Sequence, residues 1–272
     1  MESRAAQPDV IDQLSSRKDL KNKPLVEAIL EVRWKLVTRG VGEETDPHYK
    51  LLLGRLFDRV QKEYPEHQQL PAANVPDEFV GHVVQHRFRV GEDKWPLVQV
   101  GPGIFTVNST DDYTWSDFRP RTLDAIQKLY DAHPRVGEFE PVSLMLRYID
   151  AVEFDYEHED ARSFLQDNLK LNVSLPSNLF AETGVSSRPN SLTCQSAFDC
   201  DRPKGIVNTR FATGQKGDRR AILWETTVHS AGPDLPGMPD QFEEWLDAAH
   251  DITDDWFFKL IEGDLERRFS GD

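Results

Sequence analysis

The chain has 272 residues, 38% of them hydrophobic and 29% charged, an ordinary balance for a globular protein that buries a sizeable core. Its 32 basic and 47 acidic side chains leave a formal net charge of -15, a field that repels a phosphate backbone and so disfavours nucleic acid, while it steers basic protein surfaces inward. Cys194 and Cys200 are the only cysteines and have neither zinc-type nor disulfide-framework spacing, and no run approaches the roughly 18 apolar residues of a membrane span.

Residues 1–22 are polar, lack the apolar core of a signal peptide, and read as a flexible leader to a cytoplasmic protein. From Val26 to Leu36 apolar residues hold the even positions and charged ones most of the odd, the period of a half-buried strand. Asp46-Pro47 reads as an N-cap and first turn, and Tyr49, Leu52, Leu53, Leu56, Phe57, Val60 and Tyr64 continue as an amphipathic helix up to Pro65. Alternation resumes from Val80 to Val90, followed by Trp95–Val100 and Ile104–Asn108, with Gly101-Pro102-Gly103 as a tight turn between them. A helical pattern then runs through Leu123, Ile126, Leu129 and Tyr130.

The same order follows again. Val142–Phe154 predicts a long strand, Glu159–Leu169 a short helix, and Ser191–Phe198, Gly205–Ala212 and Ala221–Val228 three strands. One long helix is expected from Phe242 through Phe269. The expectation is an α+β protein made of two similar β-α-β-β-β-α halves, residues 23–137 and 138–272, in one compact unit. Its sheet is mostly antiparallel and its helices pack on one face.

Several segments together resemble a sporadically distributed prokaryotic family without an assigned activity. They are Asn22-Lys23-Pro24 running into Leu25–Trp34, His86-Arg87-Phe88, Trp95 through Gly103, Tyr113-Thr114-Trp115, Leu146-Arg147-Tyr148-Ile149, and the aromatic-rich last helix with Ala249-His250 and Trp256-Phe257-Phe258. The resemblance brings no functional residue with it. Its sporadic distribution implies genes that move between genomes, including defence-related loci.

Phosphate-loop, nucleophile-elbow and His-Glu-x-x-His signatures are missing, so no catalytic set, metal or cofactor is expected. His82 and His86 would lie about 13 Å apart along a strand, too far to share a metal. His250 sits in an acidic helix stretch with Asp247, Asp251, Asp254 and Asp255 that reads as a solvated face. Arg87, Arg119 and Arg147 each adjoin an aromatic residue, Phe88, Phe118 and Tyr148, a pairing used both in structural ion pairs and in recognition of anions or peptides. Arg147 and Ile149 should share one face of their strand, Tyr148 and Asp150 the other. Glu225, beside Trp224, is the carboxylate to test as an acid or base.

Two functions are expected from these features. The first is a non-enzymatic protein-interaction or regulatory component that binds another protein through a sheet face or helix groove. The second is an enzyme or small-ligand sensor whose pocket, between sheet and helices, is lined by Arg87, Arg119, Arg147 and Tyr148. A homodimer is compatible with either, the last helix serving as interface or as core.

Overall fold

Alternation of apolar residues builds one nine-stranded sheet in the computed structural model, which describes residues 20–110 and 112–271. The first strand, β1 (Leu25–Trp34), leads into a small hairpin, β2 (Val37–Gly40) and β3 (Glu43–Thr45), and then helix α1 (Tyr49–Val60). Next come β4 (Glu66–Gln69), β5 (His86–Arg89), β6 (Leu97–Gly101), β7 (Ile104–Ser109) and α2 (Trp115–Ala132). The rest of the chain supplies β8 (Pro141–Glu153), α3 (Ala161–Leu169), β9 (Thr193–Asp201), β10 (Lys204–Lys216), β11 (Arg219–Ala231), α4 (Phe242–Ile261) and α5 (Asp264–Ser270).

The strands lie in the order β4-β5-β6-β7-β1-β8-β11-β10-β9, and every pairing is antiparallel. The protein is therefore of the α+β class. Strand β8 is long enough, at 13 residues, to pair with β1 on one side and β11 on the other, so the centre of the sheet joins early and late segments of the chain.

One set of alternating side chains faces the helices. Ala28, Leu30, Val32 and Trp34 of β1, with Phe88, Val98, Val100, Phe105, Val107, Leu144, Leu146, Val207 and Val228, form a core with α1, α2 and the first half of α4. A second cluster joins Val152, Phe154, Phe211, Ile222 and Trp224 to α3, the end of α4 and α5. The core thus runs across the expected boundary at residue 137. Among the described residues, no helix lies on the opposite face.

Local signals account for several ends. The Thr114 hydroxyl accepts from the Asp117 N–H at the start of α2, and the Asp160 carboxylate accepts from the N–H groups of Arg162 and Ser163 at the start of α3. Pro102 and Gly103, the latter at φ 75°, turn β6 into β7, a backbone angle that glycine adopts without steric cost.

Four expectations need correction. Asp46 does not cap α1, which starts at Tyr49; its carboxylate instead accepts hydrogen bonds from the Trp34 indole at 2.8 Å and the His48 N–H at 2.9 Å, tying β1 to the helix entry. The alternating run from Val80 is a strand only over His86–Arg89, because His82 takes a left-handed φ of 58° and its ring bonds the Trp34 carbonyl. The last helix breaks at Gly263, φ 109°, where the chain turns to place Leu265 and Phe269 on the second core. Of the expected leader, residues 1–19 lie outside the described residues, while Leu20 is buried and Asn22 donates from its backbone to the Phe269 carbonyl.

Candidate functional site

Strand alternation sends neighbours to opposite faces, so the four candidate residues do not meet in one pocket. Phe88 and Tyr148 face the helices; Arg87 and Arg147 face away; Arg119 lies on the outer side of α2. The pocket expected between sheet and helices is corrected to three separate settings.

Arg119 is an ion-pairing residue between helices. Its Nε and Nη2 donate to the two carboxylate oxygens of Asp247 on α4 at 2.6 and 2.8 Å, and Nη2 also reaches Glu243 at 2.7 Å. That forked geometry holds the guanidinium above its ordinary pKa range. Together with Arg202, these acids and Asp240, Glu244 and Asp251 line an open groove of about 760 Å³ along α4.

Arg87 begins a hydrogen-bonded chain on the helix-free face. Its Nε donates to Gln99 Oε1 at 2.9 Å, the Gln99 amide donates to Thr106 and Asn108 at 3.2 Å, and the Asn108 amide donates to Glu27 at 2.8 Å. Gln99 and Asn108 are only 8% and 2% exposed, so each amide needs the partners it has. Desolvation lowers the Arg87 pKa, and the neighbouring Arg89 charge adds to the effect.

Arg147 stands at the middle of the same face. The register aligns Ile29, Arg147, Thr227 and Asn208 in one row across four strands, with Glu31, Met145 and His229 in the row on one side and Ile149 and Glu225 in the row on the other. The Arg147 side chain is 30% exposed, and its Nη1 comes no nearer than 4.0 Å to Glu225. Its Nε is buried and has no hydrogen-bond partner. Glu225, read from sequence as a possible acid or base, points to this face as alternation requires. Burial and the Arg33 charge lower the pKa of His229 in the neighbouring row.

On the helix side, β8 carries a different polar group. The Tyr113 and Tyr148 hydroxyls are 2.7 Å apart, and Tyr148 Oη is 3.1 Å from His250 Nδ1. The Trp115 indole stacks on the His250 ring with centroids 3.7 Å apart, and Lys23 Nζ donates to the Tyr113 carbonyl at 3.0 Å. Desolvation raises both tyrosine pKa values, so the two phenols stay neutral and act as hydrogen-bonding groups. Two residues along, Asp150 is 5% exposed between its cross-strand neighbours Leu25 and Trp224, and burial pushes its carboxyl up to about 8 against a partial offset from Lys216.

This cluster was missed because His250 reads as part of an acidic solvated face. The fold brings Lys23, Tyr113, Trp115, Tyr148 and His250, which are distant in the chain, to one place. Arranged as they are, they fasten the start of α2 and the middle of α4 to the central strand.

A further histidine pair, His67 Nε2 and His86 Nδ1 at 2.9 Å, packs on Phe57 and Phe88 at the far end of the sheet. Among the described residues no group of three or more His, Cys, Asp or Glu side chains is placed to hold a metal ion, and no helix is long and apolar enough to cross a membrane. No family model matches the chain, and no curated protein is similar to it in sequence.

Proposed function

We propose that this protein is a non-enzymatic interaction component of a prokaryotic cytoplasm, which holds a partner protein against the helix-free face of its sheet. The observation that carries the reading is the Arg147 Nε, buried at the centre of that face without an acceptor. A guanidinium N–H left unpaired costs about 1–3 kcal/mol, and the side chain, 30% exposed and no nearer than 4.0 Å to Glu225, can turn to meet an acceptor on a partner. Ile29, Met145 and Ile149 beside it are partly exposed and offer apolar contact around the charge, the composition of an interface centre. The overall charge of -15 steers a basic partner toward the molecule, and the alternating Arg and Glu residues of the face set the register of the contact.

Further support comes from the strand order. Outward from the β1/β8 pair it reads β7, β6, β5, β4 on one side and β11, β10, β9 on the other; apart from the four-residue β4, each set follows a strand and a helix in the chain. An internal duplication accounts for that order. Two fused copies of one unit give a broad continuous face rather than a cleft, which suits a protein partner. The family resemblance supports a mobile, defence-related genetic context.

The test is co-purification from the native host with neighbouring gene products supplied, comparing wild type with Arg147→Glu. A stoichiometric partner retained by wild type and lost from the variant, at unchanged unfolding midpoint, is the expected result. Recovery of no partner, or equal recovery by both chains, sinks the proposal.

A further inference from the structure

The two edges of the sheet are guarded unequally. One edge, β4, has only four residues, Glu-His-Gln-Gln, and pairs along its whole length with β5. Short, polar edge strands of this kind resist further pairing. The other edge, β9, runs for nine residues, Thr193–Asp201, without proline or lysine, and seven of the nine are exposed. Its inner side pairs with β10 through all nine positions, and its outer side has no backbone partner among the described residues.

The sequence of β9 is complementary to itself in one arrangement. Set antiparallel to a second β9 and centred on Ala197, it pairs all nine residues: Thr193 opposite Asp201, Cys194 opposite Cys200, Gln195 opposite Asp199, and Ser196 opposite Phe198. Both aspartates of each strand then face neutral hydrogen-bond donors, Gln195 and Thr193. A parallel arrangement would instead set Asp199 against Asp199 and Asp201 against Asp201, and like charges directly opposite are destabilising.

The helix side of the strand agrees. Phe198 is 49% exposed, opposite Val207 of β10 and edge-on to Trp256 of α4, at 5.6 Å between ring centroids. In the centred antiparallel arrangement the two Phe198 side chains become diagonal neighbours across the dyad, roughly 7–8 Å between positions and within aromatic reach. Each exposed ring thereby covers the other.

We propose that β9 is a self-association edge, pairing antiparallel with β9 of a second copy of this chain about Ala197 and extending the sheet across the dyad. This surface is distinct from the helix-free face around Arg147, so the two proposals fail independently.

Charge placed at the dyad tests the idea, because residue 197 meets its own copy there. A197R and A197D change an exposed side chain and leave the core untouched. Sedimentation of the full chain over a range of concentrations should show a wild-type dimer. Each variant alone should dissociate with a dissociation constant raised about tenfold or more, and an equimolar mixture of the two should recover the dimer.

The cysteines report register. Cys194 and Cys200 lie about 20 Å apart along one strand, too far to join within a chain, but stand opposite each other between chains. Mild oxidation should therefore cross-link wild type and neither C194S nor C200S. A wild type that stays monomeric, a dimer indifferent to A197R, or cross-linking that survives in a single-cysteine variant overturns the proposal.

Discussion

Arg147 and Tyr148 are adjacent in the chain, yet one lies on a helix-free surface with an unsatisfied N–H while the other hydrogen-bonds two helix-side partners beneath α4. The contrast holds along the whole sheet. On the covered face apolar side chains interdigitate with α1, α2 and α4, and the polar groups of Tyr113, Tyr148 and His250 hydrogen-bond one another. On the open face the same strands present Arg87, Gln99, Asn108, Glu27, Glu31 and Arg147 in cross-strand rows. The covered face holds the fold together; the open face is free to carry recognition.

The largest expected effect lies on the covered face. Phe105 of β7 is fully buried in the main core, and Phe105→Ala should cost about 3–5 kcal/mol in urea unfolding. A loss below 1 kcal/mol would mean that the core collapses around the site, and the contrast between faces would lose its energetic basis.

A smaller and pH-dependent effect is expected at Asp150. The native carboxyl keeps its proton up to about pH 8, whereas the unfolded carboxyl, with an ordinary value of 3.8, gives it up. Between those limits the native state binds more protons than the unfolded one, so this residue's contribution to stability falls as pH rises from about 4 to about 8 and is level above that. Asp150→Asn should remove that slope and gain on the order of a few kcal/mol at pH 8, with little change at pH 4. Unfolding curves at the two pH values check it; an unchanged slope in the variant would place the titrating group elsewhere.

Arg119→Ala should have the smallest effect, about 0.2–1 kcal/mol, weakening further in high salt, because the pair with Asp247 and Glu243 lies on the surface. A loss of several kcal/mol would make the α2–α4 contact part of the buried frame instead.

Particular residues show how far the sequence could be read. The period of two from Val26 and from Val142 marked β1 and β8, because a strand buried on one face must alternate. The same period from Val80 misled, since Val83 crosses the backbone of Gly101, where an added Cβ would lie 1.9 Å from the Val83 carbonyl oxygen. Close chain crossing is not written in local hydropathy. The break at Gly263 was also hidden, because apolar spacing continues through it while the axis turns.

Alternation likewise separates Arg147 from Tyr148 and pairs Tyr148 with Asp150. Which face would be covered, however, depends on where the helices dock, and that follows from packing of the whole core. The meeting of Tyr113, Tyr148 and His250 joins residues up to 137 positions apart and needed the central β1/β8 pairing to bring them together. Local periodicity determined the class of fold, the order of most elements and the face of each strand residue. Tertiary structure alone decided which face stayed open, which edge stayed long and that the Arg147 Nε was buried without an acceptor, because those depend on contacts between segments distant in the chain.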